Sequence, residues 1–134
     1  MRITVDAVVD NLDDVLGLLD EELEERGCPM RTQYEIDVAV EELFVNVCHY
    51  AYEGKTGPVT VDIEFAEKPR AVAISFIDSG MPYNPLERED PDITLSVEQR
   101  EIGGLGIFMV KKSMDELFYE YKDEQNHMTI RKYF

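Results

Sequence analysis

Between Tyr52 and Val59 the apolar residues switch from the spacing of a helix to the spacing of a strand, and that switch limits what the chain can fold into. From Tyr34 to Tyr52 they fall at Ile36, Val40, Leu43 and Val47, one stripe of a helix. From Val59 on, Val59, Val61, Ile63 and Phe65 alternate with polar residues, as in a half-buried strand. A second strand follows from Ala71 to Ile77, and Lys68-Pro69 between them predicts a hairpin. An apolar helix stripe beside an apolar strand face predicts a layer of helix packed on a layer of sheet.

The flanking segments extend this pattern. Met1 to Asp6 alternates as a short strand, and Asn11 to Arg26 carries Leu12, Val15, Leu16, Leu19 and Leu23 at helical spacing until Gly27 and Pro29 stop it. Thr32 with Glu35 three residues on predicts a capping box at the start of the second helix. Residues 53–58 supply turn chemistry, and Leu86 to Ile102 is a long polar connection of the kind that serves as a lid. Ile107, Phe108, Val110 and Met114 predict a third helix. Leu117 to Tyr121 and Met128 to Phe134 predict closing strands about a turn at Asp123-Glu124-Gln125-Asn126. The expectation is one α+β domain over residues 1–134, a two-layer sandwich with three helices on one face of a mixed or mainly antiparallel sheet.

Composition narrows the partners. Twenty-nine acidic against thirteen basic residues give a formal net charge of −16, a field that opposes nucleic acid and would welcome a basic protein surface. A bound nucleotide would have to be held locally, by backbone amides, a metal ion and a few cations. Cys28 and Cys48 have no metal-ligand spacing, and no apolar run reaches membrane length. The expectation is a cytosolic chain with reduced thiols.

Three stretches carry residues suited to chemistry. On a helix, Glu42 and Asn46 stand one turn apart on the same face; the carboxylate only accepts hydrogen bonds, and the carboxamide oxygen suits a hard cation such as magnesium. The same pair would also suit an ordinary solvated face. Asp78 ends the second strand of the hairpin and enters Asp78-Ser79-Gly80-Met81-Pro82-Tyr83-Asn84-Pro85, where it could accept a hydrogen bond from an exocyclic amine or simply make a turn. Gly103-Gly104-Leu105-Gly106 opens the third helix, as an anion cradle or as a hinge.

In this order and spacing the three stretches resemble the boxes of the GHKL ATPase superfamily, which holds the histidine-kinase-like ATPase domain of Bergerat type. Within it the chain is most similar to small bacterial anti-sigma regulatory factors that are serine-protein kinases. Glu42-Leu43-Phe44-Val45-Asn46 stands where that family has its N box, Asp78 to Pro85 where it has Asp-x-Gly-x-Pro, and Gly103 to Ile107 where it has its second glycine box. The resemblance implies that Glu42 is the base that prepares the acceptor, that Asn46 coordinates the magnesium on the ATP phosphates, and that Asp78 reads adenine while Gly80 lets the base approach. It implies that Gly104, Leu105 and Gly106 line the phosphates and that Thr129 is a second adenine contact.

The chain departs from the family at Tyr50, where a histidine is frequent, with His49 one place earlier, and at Asn84, where aspartate is frequent. Arg100 lies in the expected lid, where an arginine could reach a terminal phosphate although its distance from Gly104 does not match the family's, and Lys111 and Lys112 follow the glycines. The function implied is an ATP-dependent serine/threonine protein kinase in a bacterial partner-switching module, with a sigma factor and a small STAS-type antagonist as partners and a homodimer as a possible assembly. A nucleotide-gated binding module with little kinase activity is the rival, and a nucleotide-free interaction domain is a third.

Overall fold

The computed structural model describes residues 1–87 and 105–134. Its elements run β1 (Arg2–Asp6), α1 (Leu12–Glu25), α2 (Met30–Tyr50), β2 (Pro58–Glu67), β3 (Arg70–Asp78), α3 (Leu105–Ser113), β4 (Glu116–Lys122) and β5 (Gln125–Tyr133), with single 3-10 turns at Val9–Asn11 and Pro85–Glu87. The strands form one sheet in the order β1-β2-β3-β5-β4. Every neighbouring pair is antiparallel, so the expected α+β layering holds and the sheet has no parallel pair among the described residues.

The core lies between the helices and one face of the sheet. Val15, Leu19 and Leu23 of α1, Ile36, Val40 and Phe44 of α2, and Ile107 and Val110 of α3 are buried against alternate strand residues such as Val61, Ile63, Ile74, Phe76 and Ile130. Intervening strand residues face the other way and pair with one another, as in the hydroxyl contacts Thr4–Thr60 at 2.9 Å and Ser75–Thr129 at 2.7 Å.

Gly27, at φ +70°, ends α1 as expected. The amide of Cys28 bonds to the Leu23 carbonyl at 3.0 Å and that of Gly27 to the Glu24 carbonyl at 3.1 Å, which satisfies two carbonyls the helix leaves unpaired. The capping box at Thr32 does not form. Pro29, extended at ψ 142°, precedes the first helical residue Met30, so Thr32 already lies inside α2. Glu35 instead reaches Arg31 at 3.8 Å and Lys132 at 3.7 Å. Proline pre-sets the backbone without a side-chain cap, which is why the helix starts three residues early.

The β2–β3 hairpin turns at Lys68-Pro69, with Glu67 opposite Arg70. The β4–β5 turn is tighter than expected: Lys122 pairs with Gln125, and only Asp123 and Glu124, both at positive φ, connect the strands. Gln125 and Asn126 therefore belong to β5, which puts Asn126 on the core face with Met128 and Ile130.

Candidate functional site

A cleft opens between the C-terminal half of α2 and the ends of β3, β4 and β5. Leu43 and Val47 of α2, Phe76 of β3 and Met128 of β5 make its walls apolar, and Asn46, Asp78, Tyr119 and Asn126 supply polar groups. A mainly apolar slot with a few fixed polar groups suits a flat heterocycle better than a charged ligand.

Asp78 is placed at the deep end by the register of β3 with its neighbours: it pairs with Val59 on one side and Asn126 on the other. Only 6% of its surface is exposed. Its Oδ1 accepts from the Gly80 amide and from Asn126 Nδ2, each at 2.9 Å. The loop after Asp78 is anchored to the end of α2, where the Met81 amide donates to the Ala51 carbonyl at 3.0 Å and the Ser79 amide to the Tyr52 hydroxyl at 3.0 Å. The close approach that requires glycine at Gly80 is to this helix end, because a Cβ there would overlap the Ala51 backbone.

Glu42 and Asn46 sit one turn apart on α2, and Asn46 lines the cleft. The Asn46 Nδ2 is buried without a hydrogen-bond partner among the described residues. An amide left uncommitted in this way fits a ligand that would orient it, and its carbonyl oxygen suits a hard cation. Glu42 is partly buried and touches α3, since a Cβ on Gly106 would overlap its carboxylate. Burial, reinforced by the neighbouring Glu41 charge, raises the Glu42 pKa above the ordinary carboxylate value. Leu105 and Gly106 open α3, and the first amides of a helix have no partner within it.

Not every expected residue joins the cleft. Thr129 lies on the opposite face of the sheet, where its hydroxyl meets Ser75. Gly104 and Arg100 fall outside the described residues, as does all of the expected lid beyond Pro85–Glu87. Asn84 caps that turn, its Oδ1 accepting from the Leu86 amide at 2.9 Å. His49 is exposed and meets Tyr50 edge-on, and the Lys112 ammonium sits 5.4 Å from the Phe108 ring.

Of the polar side chains lining the cleft, four were not predicted from the sequence as site residues: Asn126, Tyr119, Tyr83 and Tyr50. Tyr50 stacks on Tyr83 at 5.5 Å between ring centroids and 27° between planes, joining the end of α2 to the loop after β3. The signal for Asn126 was its alternation with Met128 and Ile130, hidden by reading it as a turn residue.

Residues 5–132 match the family described as Histidine kinase-like ATPase domain. Among curated proteins the chain is similar to a serine/threonine-protein kinase, BtrW, of Bordetella bronchiseptica, 23% identical over a stretch covering 75% of this chain and 70% of that protein. It is also similar to serine-protein kinases named RsbW, of Listeria monocytogenes at 29% identity and of Listeria innocua at 28%, each match covering 74% of this chain and 64% of the relative. The chain thus spans under two-thirds of the length of the Listeria relatives. No helix among the described residues is long and apolar enough to cross a membrane. With the match running from the end of β1 through α1, α2, α3 and into β5, the chain belongs to the histidine-kinase-like ATPase family.

Proposed function

We propose that the chain binds ATP in this cleft and transfers its terminal phosphoryl group to a serine or threonine of a small antagonist protein, within a bacterial partner-switching module that also holds a sigma factor. One observation carries the reading. A buried carboxylate, Asp78, ends an apolar slot, and the same helix that walls the slot leads one turn at a time from Asn46 to Glu42 and on to the opening of α3. A purine base with an exocyclic amine would fill the slot, and its phosphates would run toward Asn46 and the Leu105-Gly106 amides.

In this reading Asp78 orients the base and excludes water from its edge. Asn46 would hold magnesium, which when bound offsets phosphate charge and aligns the phosphates. Glu42 takes the proton of the acceptor hydroxyl as that oxygen bonds to the terminal phosphorus and the bond to the departing ADP oxygen breaks. Its raised pKa makes it a stronger base once ionised, and contact with α3 limits its rotamers. The kinase names of the relatives support this use of ATP, and the net charge of −16 favours partners with basic surfaces.

The test is phosphoryl transfer from labelled ATP to a small STAS-type antagonist protein. Transfer that is lost in Glu42→Ala while magnesium-dependent ATP binding persists supports the kinase. Wild-type ATP binding without any transfer would instead make the chain a nucleotide-gated binding module. Asn46→Ala should lose the magnesium-dependent part of binding.

A further inference from the structure

We infer that Asn126 is the positioning residue that sets base selectivity, by holding Asp78 with a single oxygen presented to the base; this rests on the ATP reading above. Asn126 is as buried as Asp78, at 5% exposure. A primary amide can donate two hydrogen bonds and accept two, and here the protein uses all four. Nδ2 donates to Asp78 Oδ1 and to the Met81 carbonyl, each at 2.9 Å. Oδ1 accepts from the Tyr83 amide at 3.0 Å and from the Tyr119 hydroxyl.

Two consequences follow from that saturation. Rotating the amide by half a turn would set its oxygen against a carboxylate and a carbonyl and its NH2 against the Tyr83 N–H, so the orientation is fixed. Asn126 also has no bonding capacity left for a ligand, although it lines the cleft. Its effect on a base passes through Asp78. Asp78 Oδ1 already accepts from Gly80 and Asn126, and Oδ2 has no donor among the described residues. The carboxylate therefore offers the base an acceptor and no donor. That arrangement accepts the 6-amino group of adenine and repels the 6-oxo group of guanine. Aspartate at position 126 would lack the donor and put two carboxylates in contact; alanine would free the Asp78 side chain to rotate.

The experiment compares dissociation constants for ATP, GTP and purine riboside triphosphate, which lacks the 6-amino group, with inorganic tripolyphosphate as a probe of the phosphate end alone. Wild type should prefer ATP to both other nucleotides. In Asn126→Ala that preference should shrink by roughly 10-fold or more, the scale of a hydrogen bond to a charged group, with tripolyphosphate binding unchanged. A purely structural role would weaken all four ligands together and leave the ratios as in wild type, which would overturn the inference. Tyr119→Phe removes only one donor to Asn126 and should move the ratios in the same direction by a smaller factor; it decides the matter if Asn126→Ala fails to fold, with wild-type ratios again overturning the inference. A wild type that binds tripolyphosphate but no ATP would overturn the ATP reading itself, a result distinct from unaltered ratios in the variants.

Discussion

Gly106 lies against the Glu42 carboxylate so closely that a methyl group at position 106 would overlap it. The overlapped atoms are the far end of a flexible side chain, so the fold can absorb the change by turning Glu42 away, and alanine is the better helix former by up to about 1 kcal/mol. Gly106→Ala should therefore melt at or slightly above the wild-type temperature. Displacing a proposed base by an ångström or so costs on the order of 10²-fold in rate. Single-turnover phosphoryl transfer should fall by that order with ATP affinity changed only a few-fold. Wild-type transfer in the folded variant would remove Glu42 from the chemistry.

Gly80 presents the opposite case, because its neighbour is backbone. A Cβ there would overlap the carbonyl, carbon and Cα of Ala51, atoms that cannot rotate away without unwinding the end of α2. Gly80→Ala should destabilise the protein by about 1–3 kcal/mol, the range for forced overpacking, seen as a lower urea midpoint with unchanged slope. The loop carrying Asp78, Met81 and Tyr83 would shift with it, so nucleotide affinity should fall in parallel.

Asp37 of α2 faces Asp20 and Glu24 of α1, with Cys28 in the connection between the helices and Arg70 of β3 nearby. Burial, a hydrogen bond to Asp20 and repulsion from Asp20 and Glu24 push the Asp37 pKa up to about 8. The folded chain thus holds a proton that the unfolded chain has released above about pH 4. The protonated pair contributes its full stability below that pH and loses it as pH rises toward 8. Asp37→Asn keeps a donor for Asp20 and cannot ionise, so it should stabilise the protein at pH 8 by on the order of 1 kcal/mol, after discounting for solvent screening. It should give no gain at pH 4. Equal melting shifts at both pH values would show that the two carboxyls do not share a proton.

The layers were legible because they rest on long periodic segments. The stripe through Ile36, Val40 and Leu43 and the alternation through Val59, Val61 and Ile63 left little choice of element or buried face. Glu42, Asn46, Asp78 and Gly80 were named by spacing and resemblance, and the fold brings Asn46 and Asp78 to one cleft with Glu42 one turn beyond. What escaped depended on a local backbone choice. Asp123 and Glu124 make the β4–β5 turn alone, at φ values that glycine or asparagine more commonly take, so the turn gave no compositional sign of its length. A turn read two residues too long removed Asn126 from β5, and with it the partner that fixes Asp78. The assignment of Thr129 came through the resemblance, whereas strand register turns its side chain to the other face of the sheet.

The most direct test of the account is calorimetric titration of ATP, with magnesium, into the wild type and into Asp78→Asn. The substituted amide keeps an oxygen for the Gly80 amide and Asn126, so the loop should stay in place, but it turns an NH2 toward the base where a carboxylate oxygen stood. The account predicts saturable binding in the wild type and a loss of roughly 10²-fold or more in Asp78→Asn, a site built to accept a hydrogen bond now facing donor with donor. Equal affinity in the two proteins, with Asp78→Asn folded, would contradict it.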